Sequence, residues 1–201
     1  MRSPFITMSL MLTVIGSASL ISAQSTTPRL LAPDQTSVLL EDLAATEHFA
    51  QGVTAYVMLH RLLEGPLPPL QTSQDMRVVH AAMDALAKQI QTARQDAQLG
   101  DLFPEDVVRV FRRRIAACLA PEDLEAILVE HQESDPASLP PVRVNAIWPA
   151  EVAFNFVPPQ LLAALPPLPP ELQYRIIGRS LVLWDHHANL IVDVLPGAFT
   201  S

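Results

Sequence analysis

Apolar residues recur at roughly helical spacing through the first half of the chain and in short alternating runs near its end. From Asp34 to Glu64 the series Leu39, Leu43, Phe49, Val53, Tyr56, Val57, Leu59 and Leu63 predicts helix with one buried face. Gly52 sits mid-way and allows a division into two helices. Gly65-Pro66 stops the pattern, and Pro68-Pro69 reinforces the stop. Met76, Val79, Met83, Leu86, Ile90, Ala93 and Ala97 then alternate in steps of three and four, a seam of period 3.5. Such a seam packs on the chain's own helices or joins two copies as a weak dimer. Pro104 opens a third helix, with Glu105 and Asp106 in the first turn, where the helix dipole favours negative charge. Val107, Phe111, Ile115, Cys118 and Leu119 are its expected inner face. Pro121 opens a short fourth helix carrying Leu124, Ile127 and Leu128 and ending near His131.

The pattern then changes. Eleven of the nineteen prolines fall between Pro136 and Pro196. Asp135 to Pro141 reads as a linker, and Val142 to Phe156 as a strand or extended segment. Pro158-Pro159 can start one helical turn through Ala164. Leu165 to Pro170 should be a polyproline II spacer laid against its own domain. Tyr174–Ile177, Ser180–Trp184 and Leu190–Leu195 alternate as three strands of a β-meander. Gly178-Arg179 suits a two-residue type II′ turn, and Asp185 to Asn189 forms the second connection. Strict alternation places Leu190, Val192 and Val194 on one face, with Ile191, Asp193 and Leu195 on the other. Both faces are apolar and three strands alone are marginal, so the helices, the proline-rich segment or both must cover the sheet.

The expected fold is therefore α+β, with three to four helices, a proline-rich connector and a C-terminal three-stranded antiparallel meander. The expected boundaries are 1–23 for a signal segment, 24–33 for a leader, 34–132 for the helical region, 133–172 for the connector and 173–196 for the meander. The signal reading rests on Arg2, the apolar run from Phe5 to Ile15, and the small residues ending at Ala23, after which cleavage is expected. That run is shorter than the roughly 20 residues of a membrane span. The expected location is therefore the periplasm or outside the cell, with no stable membrane anchor expected after cleavage.

Composition narrows the partners. The net charge is -8, and a surface of that sign repels phosphate backbones, so no nucleic acid is expected. The exception, Arg112 to Arg114, spreads its side chains about 100° apart around a helix, which predicts a solvated face rather than one patch. Cys118 is the only cysteine, so no internal disulfide can form and the fold must rest on its core. On the inner helix face it reads as a small buried hydrophobe.

Candidate chemistry gathers at Asp185, His186 and His187. Imidazoles and a carboxylate suit Zn, Ni or Cu, so these three are the candidate metal ligands. Neighbouring histidines in an extended chain point apart, so a complete site needs ligands from elsewhere, with His60, His80 or Asp193 as donors if the fold brings them near. Otherwise the loop is an exposed polar turn, with Asp185 and Asn189 bonding local backbone. The sequence has no nucleophile elbow, no His-Glu-x-x-His and no phosphate-binding glycine loop. No cofactor is implied.

The segment from Leu165 to Leu195 combines a proline–leucine run, Tyr174-Arg175, Gly178, an aliphatic strand, Asp185 and the stretch Ala188 to Asp193. It resembles the C-terminus of a set of uncharacterised exported bacterial proteins, and Tyr56 to Arg61 and Gly100 to Pro104 also resemble that group. The likeness spans most of the chain after the signal segment and implies export, with no activity attached. The hairpin is also similar to the C-terminal module of a periplasmic nickel/cobalt homeostasis family. The expected function is a non-enzymatic binding or structural module, monomeric or weakly dimeric through the Met76–Ala97 seam, with an unidentified protein or small molecule as partner. The alternatives are a transition-metal-binding protein using Asp185 to His187 and an extracytoplasmic hydrolase.

Overall fold

The computed structural model describes residues 33–67, 75–130, 142–148 and 157–199. The signal segment, all but the last residue of the leader, and much of the connector lie outside the described residues. The fold is α+β. Its elements are α1 (Pro33–Glu64), α2 (Met76–Ala93), α3 (Glu105–Cys118), α4 (Pro121–Glu130), α5 (Pro159–Ala164), β1 (Leu172–Ile177), β2 (Ser180–Asp185) and β3 (Leu190–Leu195). None of the described helices is long and apolar enough to cross a membrane.

Gly52 does not divide α1, which runs unbroken for 32 residues. Leu102 packs over this glycine, and Phe49, Val53, Tyr56 and Val57 around it are all buried. Burying those side chains outweighs the roughly 1 kcal/mol a mid-helix glycine costs. The helix ends where expected, with the Gly65 N–H bonded to the Arg61 carbonyl. Its inner face differs near the start: Leu39 and Leu43 are exposed, and Ala45 is buried instead. The contacts with α3 there are ionic. Arg109 and Arg113 reach Glu41, and Arg113 and Arg114 reach Asp42. Two of the three consecutive arginines thus latch α3 to α1, while Arg112 donates to the Pro196 carbonyl.

α2 begins on the Asp75 side chain, which caps the Arg77 N–H. It stops at Ala93, so Ala97 lies beyond it. Within the seam, Leu86 and Ile90 are buried in this chain's core and Met76 is exposed. α3 opens after Pro104 and buries Val107, Val110, Phe111 and Ile115. Cys118 is only half-buried; Val110 is the additional core residue. Phe49, Phe103, Phe111 and Tyr174 form an aromatic cluster, with ring centroids 4.9 Å apart for Phe49 and Phe111 and 6.4 Å for Phe111 and Tyr174. That cluster joins α1, the α2–α3 connection, α3 and β1 into one core.

The sheet is an antiparallel meander in the order β1-β2-β3. Gly178 has φ +54°, and Arg179 is not among the residues with positive φ, as a type II′ hairpin requires. Leu165 and Pro166 are buried, and the Tyr174 hydroxyl donates to the Pro166 carbonyl, so the proline run lies against β1. The alternation expected for β3 fails. A bulge between Leu183 and Trp184 pairs Leu183 with Asp193 and Trp184 with Ile191, leaving Val192 as the extra residue. Leu190, Val192 and Leu195 therefore face the helices, while Ile191 and Val194 join Trp148, Val182 and Trp184 on the other face. Asp193 turns to the helix side with Val192. Of the expected extended segment, Val142 to Trp148 is described. It covers the β3 edge through Asn145 N–H to the Ile191 carbonyl and Ile191 N–H to the Ala146 carbonyl, both 2.8 Å.

Candidate functional site

Tyr56, His60 and Glu64 stand four residues apart on α1, so their side chains share one helix face. That face meets the end of β2. Asp185 pairs with Leu190 in the sheet and points to the helix side, as Leu181 and Leu183 do. Its Oδ1 accepts the N–H groups of His187 and Ala188, both at 3.0 Å, which folds the β2–β3 turn around the carboxylate. Asn189 completes the turn at φ +50° and accepts the Trp184 indole N–H.

The second Asp185 oxygen faces α1. Oδ2 accepts the Tyr56 hydroxyl at 2.6 Å and the His60 Nδ1–H at 2.6 Å. His60 Nε2 lies 3.2 Å from Glu64 Oε2, and His187 Nδ1 lies 3.0 Å from Glu64 Oε1. Asp185 and His60 have no exposure, whereas the Glu64 and His187 side chains are 30% and 31% exposed. The network thus runs from a sealed base to an open rim. Beside it, Arg61 donates to Glu171, whose backbone carbonyl accepts the His186 N–H. The Arg94 guanidinium sits 5.1 Å above the Tyr56 ring.

The electrostatics follow from this placement. Burial pushes the Asp185 carboxyl up, but the hydrogen bond and charge of His60, with Tyr56 and the Ala188 N–H, hold it below the ordinary range. Burial pushes His60 down; the hydrogen bond and charge of Asp185, together with Glu64, raise it overall. Burial, followed by the Asp185 charge, pushes the Tyr56 phenol far above its usual value, so it stays a donor. Burial opposes ionisation of Glu171, and the Arg61 hydrogen bond turns the balance below the usual carboxylate value.

The residues singled out in the sequence separate in space. Asp185 is at the base of the network and His187 at its rim, and the fold brings His60 to both. The turn is not an exposed polar loop, because Asp185 is fully buried. His186 turns aside, with Nε2 2.6 Å from the Pro170 carbonyl. His80 is exposed on α2 and outside the network. Asp193 is buried elsewhere, holding the N–H groups of Gly100, Leu102, Phe103 and Val194 at 2.7 to 3.0 Å. The Cys118 thiol donates to the Ile115 carbonyl, and burial raises its pKa. Tyr56 and Glu64 were not among the candidates from sequence. Their four-residue spacing from His60 was the available signal. A separate groove of about 350 Å³ lies along β1, lined mostly by apolar residues such as Val157, Leu162, Pro166 and Leu168, and no residue of the network lines it.

Comparison with models of protein families, with curated proteins and with solved structures yields no match.

Proposed function

We propose that this chain is a non-enzymatic binding module acting in the periplasm or outside the cell, with its working surface at the Glu64–His187 rim. One observation carries this reading: a sealed aspartate–histidine pair opens, through Glu64, onto a partly exposed carboxylate and imidazole. Burying such groups is costly, and well-packed apolar side chains often stabilise a protein as well or better. Arrangements of this kind concentrate at sites that bind or react. The pattern from Met1 to Ala23 and the likeness to exported proteins support the location.

The test is a thermal-shift screen of the purified protein against metal ions, amino acids, small carboxylates and short peptides. The same screen is run on Glu64→Ala/His187→Ala, both at partly exposed positions. At least one compound is expected to raise the melting temperature of the wild type and not of the double variant. If every stabilising compound acts equally on both, the rim is not the binding surface.

A further inference from the structure

Resting on that reading, we propose that the ligand at this rim is a divalent transition-metal ion, with Zn2+ as the reference case. His60 Nε2, one oxygen of Glu64 and His187 Nδ1 would hold it. The three residues offer ligand atoms that all lie within 4.8 Å of one another. A tetrahedral zinc at about 2.0–2.1 Å from its ligands sets them roughly 3.3 Å apart. Each imidazole already meets the Glu64 carboxylate at about that spacing, His60 Nε2 at 3.2 Å from Oε2 and His187 Nδ1 at 3.0 Å from Oε1. Binding through a single Glu64 oxygen draws the two imidazoles together from within the 4.8 Å limit.

The supporting shell matches as well. A metal-bound histidine commonly donates its other ring N–H to a carboxylate, which fixes the tautomer and aims the free nitrogen. His60 does this with Asp185, and Asp185 is itself held by Tyr56 and by the His187 and Ala188 N–H groups. Asp185 is therefore a positioning residue, not a ligand. The same turn that buries its carboxylate carries His187 to the rim, so one loop builds both layers. Two imidazoles with one carboxylate select Zn, Ni or Cu over Mg or Ca. Three protein ligands leave one tetrahedral position for water or a further ligand, on the side where Glu64 and His187 meet solvent.

Calorimetric titration of the purified protein with ZnCl2, and visible absorption with Co2+ in its place, test the site. The wild type is expected to bind one equivalent. Glu64→Ala and His187→Ala should each weaken binding at least tenfold, and His187→Ala should also change the Co2+ spectrum. Asp185→Asn should weaken it about 10- to 100-fold while leaving the Co2+ spectrum that of the same ligand set. His186→Ala and His80→Ala should leave it unchanged. No binding by the wild type, or wild-type affinity retained in Glu64→Ala and His187→Ala, overturns the metal assignment. Should another compound show rim-dependent stabilisation in that case, the binding reading survives without the metal. Should none do so, both fall.

Discussion

Asp185 Oδ2 and His60 Nδ1 lie 2.6 Å apart with both side chains wholly out of solvent, although 125 residues separate them in the chain. This contact ties the C-terminal half of α1 to the end of β2. It fixes the orientation of His60 and so decides what the rim can do.

Removing one partner of a buried pair strands the other, at a cost of about 3–5 kcal/mol. Asp185→Ala leaves His60, Tyr56 and two turn N–H groups without their acceptor. It is expected to lower unfolding stability by at least that amount in urea titration. A loss under 1 kcal/mol would show that the pair does not form.

The same pair sets a pH dependence. Asp185 has its folded pKa lowered, so its stabilisation exists above the unfolded value near 4 and disappears as pH falls through the folded one. His60 has its folded pKa raised, so its stabilisation is complete below about 6.5 and disappears as pH rises through the folded value. The pair contributes most between roughly pH 4 and 6.5. The difference in urea midpoint between wild type and Asp185→Asn should peak in that window and narrow on both sides. A difference independent of pH would contradict the assignment.

Asp193 holds the α2–α3 connection through the Gly100, Leu102 and Phe103 N–H groups. Each buried donor left unpaired costs about 1–3 kcal/mol. Asp193→Ala should therefore destabilise by about 3 kcal/mol or more. Amide exchange should quicken at Leu102 and Phe103 before it does in β1. Unchanged protection there would rule out this anchoring role.

Two glycines should respond to alanine in opposite directions. Gly178 has φ +54° with open space around it, so Gly178→Ala carries only backbone strain, about 1–2 kcal/mol of destabilisation. Gly52 is helical, and an added Cβ meets Leu102 at ordinary contact distance, 3.8 Å. Gly52→Ala should stabilise by about 0.5–1 kcal/mol. Thermal denaturation of the two variants checks both signs.

Much of the architecture was legible in local pattern. The helices around Phe49, Leu86, Phe111 and Leu124, the turn at Gly178 and the three strands follow from residue period, proline and glycine. The site was only half legible. His60, Asp185 and His187 stood out by residue type, but the pairing of Asp185 with His60 and the departure of His186 toward Pro170 did not. Strict alternation also misplaced Asp193. The bulge at Val192 puts two successive residues on the helix side, and it accompanies Asp193's bonds to N–H groups in a loop 90 residues earlier.

Periodicity is a local property, so the chain alone determined which segments are helix or strand and which of their faces are oily. Which polar residues meet depends on sheet register and on how α1 crosses β2. Those were settled by packing around the Phe49, Phe111 and Tyr174 rings and by the need to give every buried carboxylate its donors. Only the folded molecule makes a single site of Tyr56, His60 and Glu64 on one helix and Asp185 and His187 on a distant turn, because both carboxylates need partners that no neighbour in sequence supplies in full.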